Sequence, residues 1–312
     1  MKIVVVGSMG TLGRALATRW NDPRVEARIA ANLGVEPVES NDLVVPLNLP
    51  DFDVCSRLHA IETIGSLRPD VLINASGVNL IDWLETHSNT ARNVHCHAVA
   101  NLKEAARRVG ALLVQFSCGE VFYRAQIDDR DAFGFSEEDA PNPESVYAKT
   151  KLESERIALE APKSLVLRFS SLFGETTEYS SGNLVGSLLN SIARARRVSV
   201  IDDKLLEPIW SVDVLCALKT LIRRQARGLY HLSGGSRATP KEVAEFLLSA
   251  SGLRGREVVG ISTKEYGVSA PQSAFTVLRS VKYDALENAY KIPDWKIGVD
   301  DYLESRQTFA TK

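Results

Sequence analysis

No stretch of the 312 residues approaches the roughly 20 consecutive apolar residues needed to cross a bilayer. The apolar run in the opening "MKIVVVG" is too short for a secretory signal and lacks a cleavage region, so a cytoplasmic, non-membrane protein is expected. There is no block of one charge sign either. Lys and Arg total 37 against 39 Asp and Glu, a formal charge of −2. That balance lacks the basic footprint of a nucleic-acid or anionic-membrane binder, so neither partner is expected. The four cysteines, Cys55, Cys96, Cys118 and Cys216, form no C-x-x-C pair and match no zinc spacing. They read as reduced thiols, with no metal site. Internal repeats, low-complexity tracts and an obvious flexible linker are also missing.

What remains is a chain 45% apolar, enough for a sizeable core, in which short apolar runs alternate with helical patterns. Strands are predicted at 2–6, 43–46, 71–74, 112–117 and 164–169, with a further strand placed at "VEPVES" (35–40), where "VEARIAA" (25–31) competes. Helices are predicted at 11–20 and near 55–67, 87–109 and 145–160. Fully apolar strands alternating with helices imply a parallel sheet covered on both faces. Right-handed crossovers make it an α/β, Rossmann-like doubly wound sheet. After residue 170 the rhythm loosens into helices near 182–196 and 211–224 and strands at 198–201 and 228–232. "TPKEVAEFLLSASG" (239–252) is a helix capped by Thr239 and stopped by Gly252. The expected division is a dinucleotide domain of 1–171 plus about 208–234. A smaller interleaved α/β substrate domain takes 172–207 plus 235–312.

"VVVGSMGTLGRAL" (4–16) follows the first strand and opens the first helix. Gly7, Gly10 and Gly13 let the backbone approach a pyrophosphate, and the helix N-terminus adds unpaired N–H groups. The competing reading is that the glycines serve only tight helix–sheet packing. Glu39 is a candidate for a ribose 2′-hydroxyl, and Asn48 in "LNLPD" for the adenine. NAD(H) or NADP(H) is the expected cofactor.

"VYAKTKLESE" (146–155) sets Tyr147 and Lys151 four apart, on one helix face. A nearby ammonium stabilises phenolate and lowers a tyrosine pKa toward neutrality. Such a pair can exchange a proton with a carbonyl while a nicotinamide exchanges hydride. Y-x-x-x-K is common on exposed helices. Here its weight comes from the upstream glycine loop and from "QFSCGEVF" (115–122), which ends a strand before it.

"RPDVLINASG" (68–77), "FSCGEVF" (116–122), "PNPESVYAKTKLESE" (141–155), "LRFSSLFG" (167–174), "GLYHLSGG" (228–235) and "IPDWKIGVDDYL" (292–303) occur in one ordered series. That series resembles the extended short-chain dehydrogenase/reductase superfamily, and within it the dTDP-4-dehydrorhamnose reductases, over nearly the whole chain. The resemblance implies Tyr147 as proton donor to a C4 ketone and Lys151 as binder of the nicotinamide ribose. It implies a cofactor held by Gly7, Met9, Gly10, Thr11, Leu12 and Gly13, lined by Ala75, Ser76 and Gly77, with Phe169 to Ser171 near the nicotinamide. A nucleotide-sugar substrate and a homodimer are further family expectations.

The chain departs from that pattern at several points. Cys118 stands where the family has a hydroxyl residue that donates to the substrate carbonyl, and a thiol is the weaker donor. Ser117 is adjacent, but strand alternation points it the other way. Gly119 replaces an aspartate, His95 an asparagine, and "QSAFT" (272–276) an Arg-Pro-x-Asn-Ser segment. "HCH" (95–97) places its histidines off a common helix face, Trp210 and Trp295 read as packing residues, and Arg194, Arg196 and Arg197 as a solvated helix end.

Two classes of function follow. One is an NAD(P)H-dependent reductase of a nucleotide-linked 4-keto-6-deoxy sugar, with a nucleotide-sugar epimerase as an enzymatic variant. The other is a non-catalytic NAD(P)-binding regulatory subunit like that of methionine adenosyltransferase, which resembles the same reductases.

Overall fold

A computed structural model describes residues 1–128, 133–177, 182–252 and 254–310. In chain order the first half runs β1 (Lys2–Val6), α1 (Thr11–Arg19), α2 (Pro23–Leu33), β2 (Leu43–Leu47), α3 (Arg57–Leu67), β3 (Val71–Asn74), α4 (Ile81–Thr86) and α5 (Ser88–Arg92). A π-turn at Asn93–His97 leads into α6 (Ala98–Val109), followed by β4 (Leu112–Cys118), α7 (Val146–Leu159), β5 (Ser164–Phe169) and β6 (Ser171–Phe173). Then come α8 (Leu184–Arg194), β7 (Arg197–Ile201), β8 (Pro208–Trp210), α9 (Ser211–Arg223) and β9 (Gly228–His231). The chain closes with α10 (Pro240–Ser251), β10 (Glu257–Ile261), α11 (Thr263–Tyr266), α12 (Val281–Asp284) and α13 (Trp295–Ala310). No helix among the described residues is long and apolar enough to cross a membrane.

Six parallel strands form the main sheet in the order β2-β1-β3-β4-β5-β9. Two small parallel pairs, β7–β10 and β6–β8, lie outside it. Strand alternation divides the core. Ile3, Val5, Ile73, Val114 and Leu167 share one apolar cluster with Leu12 and Leu16 of α1 and Leu215 and Leu218 of α9. Val4, Leu72, Leu113 and Val166 share another with Ile64 of α3, Leu102 of α6 and Ala158 of α7. Each fully buried side chain of this kind contributes about 1.5–3 kcal/mol. Trp210 and Trp295 are buried within the first cluster, and all four cysteines are free thiols.

The strand placed at 35–40 does not form. The segment 35–42 has no regular structure, and the strand beside β1 is Leu43–Leu47. The competing stretch is helix α2. Asp22 caps it by accepting from Arg24 N, Pro23 fills its first turn, and Gly34 ends it at φ 64°. Val25, Ile29 and Ala30 recur on its buried face. "VEPVES" offers no comparable stripe, and Pro37 removes an N–H from any ladder. Glu39 therefore precedes the strand instead of following it, and Asn48 is the first residue past the end of β2.

Helix α7 is seated by polar ties as well as packing. Ser145 Oγ caps it by accepting from Ala148 N, and Val146 N donates to Glu85 Oε1 at 2.7 Å. At its middle, Arg168 of β5 donates twice to Glu155, at 2.8 and 2.6 Å, with both side chains buried. Arg168 Nη1 also donates to His231 Nε2 at 3.2 Å, which leaves the His231 Nδ1–H to donate to Phe135 O at 3.0 Å. Burial and the Arg168 charge hold His231 down to about 3, so it is neutral in the fold.

Replacing Arg168 with Leu strands the Glu155 carboxylate, and denaturant unfolding should show a loss of about 3–5 kcal/mol. The double variant Arg168→Met, Glu155→Leu should regain most of it. His231 sets a pH dependence. Its folded pKa lies below the unfolded value of about 6.5, so its contribution is complete above that pH and is lost as pH falls toward 3. Melting temperatures of His231→Gln should fall less steeply over that acid window than those of the unmodified protein.

Candidate active site

The C-terminal ends of the parallel strands open on one edge of the sheet, where doubly wound folds bind ligands. β1 runs into Gly7 and the first turn of α1. β3 delivers Ala75 to Gly77, β4 delivers Ser117, Cys118 and then Glu120, and β5 delivers Phe169 to Ser171. Between them lies a cleft of about 360 Å³, lined also by Tyr147 and Lys151 of α7 and by Asn183, Lys204 and Thr276. Asn74 fixes the loop after β3. Its Nδ2 donates to Gln115 Oε1 at 2.8 Å, and its Oδ1 accepts from Ser76 N at 3.1 Å.

The three glycines divide their work. Gly7 has φ +81°, and a Cβ there would lie 2.5 Å from Ser76 N; one on Gly13 would lie 2.1 Å from Gly7 O. These two serve close backbone packing. At Gly10 the nearest atom to a Cβ is 3.5 Å away, and Gly10, Thr11 and Leu12 line the cleft. Gly10 caps α1 without any side-chain acceptor for the first-turn amides. An open backbone position beside uncapped helix amides suits the pyrophosphate of a dinucleotide. Met9 stays off the cleft wall, its carbonyl taken by Thr177 Oγ1 at 2.7 Å. Asn48 is likewise outside the lining, and its amide donates to Leu49 O. The Asn48 assignment to an adenine contact gains no support from that position.

Tyr147 and Lys151 reach the cleft together, but not as an ammonium–phenolate couple. Lys151 Nζ donates to Phe116 O at 2.6 Å, and burial lowers its pKa. Burial, reinforced by the neighbouring Cys118, raises the Tyr147 phenol well above its ordinary value. The expectation of a tyrosine pKa brought toward neutrality is therefore corrected. Desolvation dominates here, and the lysine charge is turned toward a strand carbonyl. Cys118 is pushed up to about 11 by burial, so it too is neutral at ordinary pH. Ser117 is buried, with its Oγ lacking any hydrogen-bond partner.

His95 sits in the π-turn and joins two walls of the cleft. Val78 N donates to its Nε2 at 3.2 Å, so its Nδ1 carries the proton toward Thr150 Oγ1 at 2.8 Å. Thr150 lies on α7 between Tyr147 and Lys151, and the His95 ring meets the Tyr147 ring edge-on at 5.6 Å. Burial, then the Lys151 charge, hold His95 down to about 3. Both ring nitrogens are occupied, which makes it a neutral brace.

A further polar group on the cleft lining was not legible from spacing. Glu120 accepts from Lys204 Nζ at 2.7 Å and from Ser273 N at 3.0 Å, and Lys204 also donates to Gln272 at 3.2 Å. Asn183 caps α8 by accepting from Gly186 N. These residues come from segments up to 153 positions apart, and no local motif flags them. Among the described residues no cluster of His, Cys, Asp and Glu suited to a metal ion occurs.

Residues 1–308 match the family described as RmlD substrate binding domain. The dTDP-4-dehydrorhamnose reductase of Sinorhizobium fredii is 26% identical over 309 residues, covering 95% of this chain and 94% of the relative. Methionine adenosyltransferase 2 subunit beta of Danio rerio is 28% identical over 309 residues, covering 97% and 90%. Among solved structures, a dTDP-4-dehydrorhamnose reductase from Clostridium acetobutylicum superposes with a TM-score of 0.83 at 25% identity, covering 98% of this chain and 100% of the other.

The glycine geometry yields a stability series. Gly7→Ala and Gly13→Ala should each cost more than about 2 kcal/mol in denaturant unfolding, since backbone must shift. Gly10→Ala should cost at most about 1 kcal/mol, the scale of a changed helix cap.

Proposed function

The chain belongs to the RmlD substrate binding domain family, and we propose that it is an NAD(P)H-dependent reductase of a nucleotide-linked 4-keto-6-deoxy sugar. The observation that carries this reading is the shared cleft. It brings the open Gly10 turn of α1, the Tyr147 hydroxyl and the Lys151 ammonium to one lip of the sheet. Gly10, Thr11 and Leu12 would hold the pyrophosphate, with Ala75 to Gly77 and Phe169 to Ser171 along the rest of the dinucleotide. Bound NAD(P)H would supply hydride to the ketone carbon. Tyr147 remains protonated at neutral pH because its pKa is raised, so it is ready to give its proton to the carbonyl oxygen. Lys151 would hold the nicotinamide ribose and balance the phenolate charge that proton transfer leaves.

Asn48 is the first residue past β2, so an uncharged side chain stands where a carboxylate would favour NAD or a guanidinium NADP. The substrate side of the cleft would be carried by 172–207 and 235–312, which supply Asn183, Lys204 and Thr276.

A second reading is a non-catalytic, dinucleotide-binding regulatory subunit. The Cys118 thiol beside Tyr147 supports it, as does the likeness to methionine adenosyltransferase 2 subunit beta.

Oxidation of NADH or NADPH in the presence of a dTDP-4-keto-6-deoxy sugar separates the two. Turnover is expected, and Tyr147→Phe should lower kcat about 100- to 10,000-fold while cofactor binding persists. Dinucleotide binding without turnover of any keto sugar would leave the subunit reading in place.

A further inference from the structure

Two departures from the family pattern meet at one point. Cys118 replaces the hydroxyl that would polarise the carbonyl, and Gly119 follows it. A Cβ on Gly119 would lie 2.4 Å from Thr276 O and 3.1 Å from Thr276 Cβ. The bare glycine thus admits Thr276 to the space beside Cys118. In the β4–β5 register Cys118 stands opposite Phe169, and Ser170 is the next residue. Ser170 Oγ and Thr276 Oγ1 are 2.8 Å apart, and both residues line the cleft with Tyr147.

Two hydroxyls carry two hydrogens, and only one lies between the two oxygens. Glu207 N donates to Ser170 Oγ at 3.1 Å, which occupies a lone pair and no hydrogen. No other acceptor for either hydroxyl is found among the described residues. Whichever residue donates to the other, one O–H therefore stays uncommitted at the cleft wall. Cys118 is poorly placed for the same task. Its side chain is buried, and a thiol donates weakly.

We propose that the Ser170–Thr276 hydroxyl pair is the carbonyl-polarising donor of this enzyme, taking over from the position held by Cys118. The assignment rests on the reductase reading. A donor aimed at a developing oxyanion acts on the rate of the chemical step more than on ground-state binding. The pair joins the end of β5 to a loop 106 residues further along the chain, so it is fixed by the fold and not by a local motif.

The test compares steady-state reduction of the keto sugar by the full-length protein and its variants, with direct titration of NAD(P)H binding. Thr276→Val should lower kcat about 10- to 100-fold and leave cofactor binding unchanged. Thr276→Ser, which keeps the hydroxyl, should stay within about threefold of the unmodified protein. Adding Cys118→Thr to the Thr276→Val background should restore much of the lost kcat by returning a hydroxyl to β4. A Thr276→Val variant with undiminished kcat overturns the assignment. So does a loss that Thr276→Ser avoids no better than Val and Cys118→Thr does not relieve, which marks a packing role alone. If the unmodified protein binds NAD(P)H but reduces no keto sugar, the reductase reading fails and the pair's role goes with it. Normal turnover with a silent Thr276→Val sinks the pair and leaves the reading standing.

Discussion

The seat of α7 on β4 and β5 is the constraint on which the cleft depends. Lys151 reaches the Phe116 carbonyl, Glu155 takes both arms of Arg168, and Ser145 with Glu85 closes the first turn. Tyr147 lies between the cap and the lysine, so its hydroxyl is carried to the end of β4 by a helix fixed at three points. His95 then ties that helix to the loop after β3. A shift of α7 would move the phenol, the ammonium and the loop together.

Desolvation sets the protonation states at this lip. It raises Tyr147 and Cys118, lowers Lys151 and keeps His95 neutral, as it does His231 deeper in the fold. Every one of these shifts favours the uncharged form, as expected where protein replaces water. The consequence is a phenol that stays protonated at neutral pH. Glu207 obeys the same rule. Burial pushes it up to about 8 even though Ser233 and the amides of Gly234 and Gly235 donate to it.

The positions at which the sequence departs from the pattern it resembles are engaged by other segments of the fold. Gly119 removes a side chain and lets Thr276 close on β4. His95 uses both ring nitrogens to brace two walls that an isolated substitution would not suggest. Lys204 and Glu120 place an ion pair on the cleft lining, and Glu120 also accepts from Ser273 N. Each of these contacts joins separate segments of the chain, as a dense, hydrogen-bonded interior requires.

How much could be read in advance depended on the range of the interaction concerned. Apolar runs such as "KIVVV" and "SLVLRF" declared buried parallel strands, and Thr239, Pro240 and Gly252 declared the limits of α10, because pattern and capping act over a few residues. The same local logic held the signal for α2 in Asp22, Pro23 and Gly34, while the two valines of "VEPVES" misdirected the second strand. Tyr147 and Lys151 were visible for the same reason, being one helical turn apart. The protonation of Tyr147, the packing role of Gly7 and Gly13 against the open Gly10, and the meeting of Ser170 with Thr276 were not. Those follow from which distant backbone and side chains exclude water or fill a given space, and only the folded chain brings such groups within a few ångströms of one another.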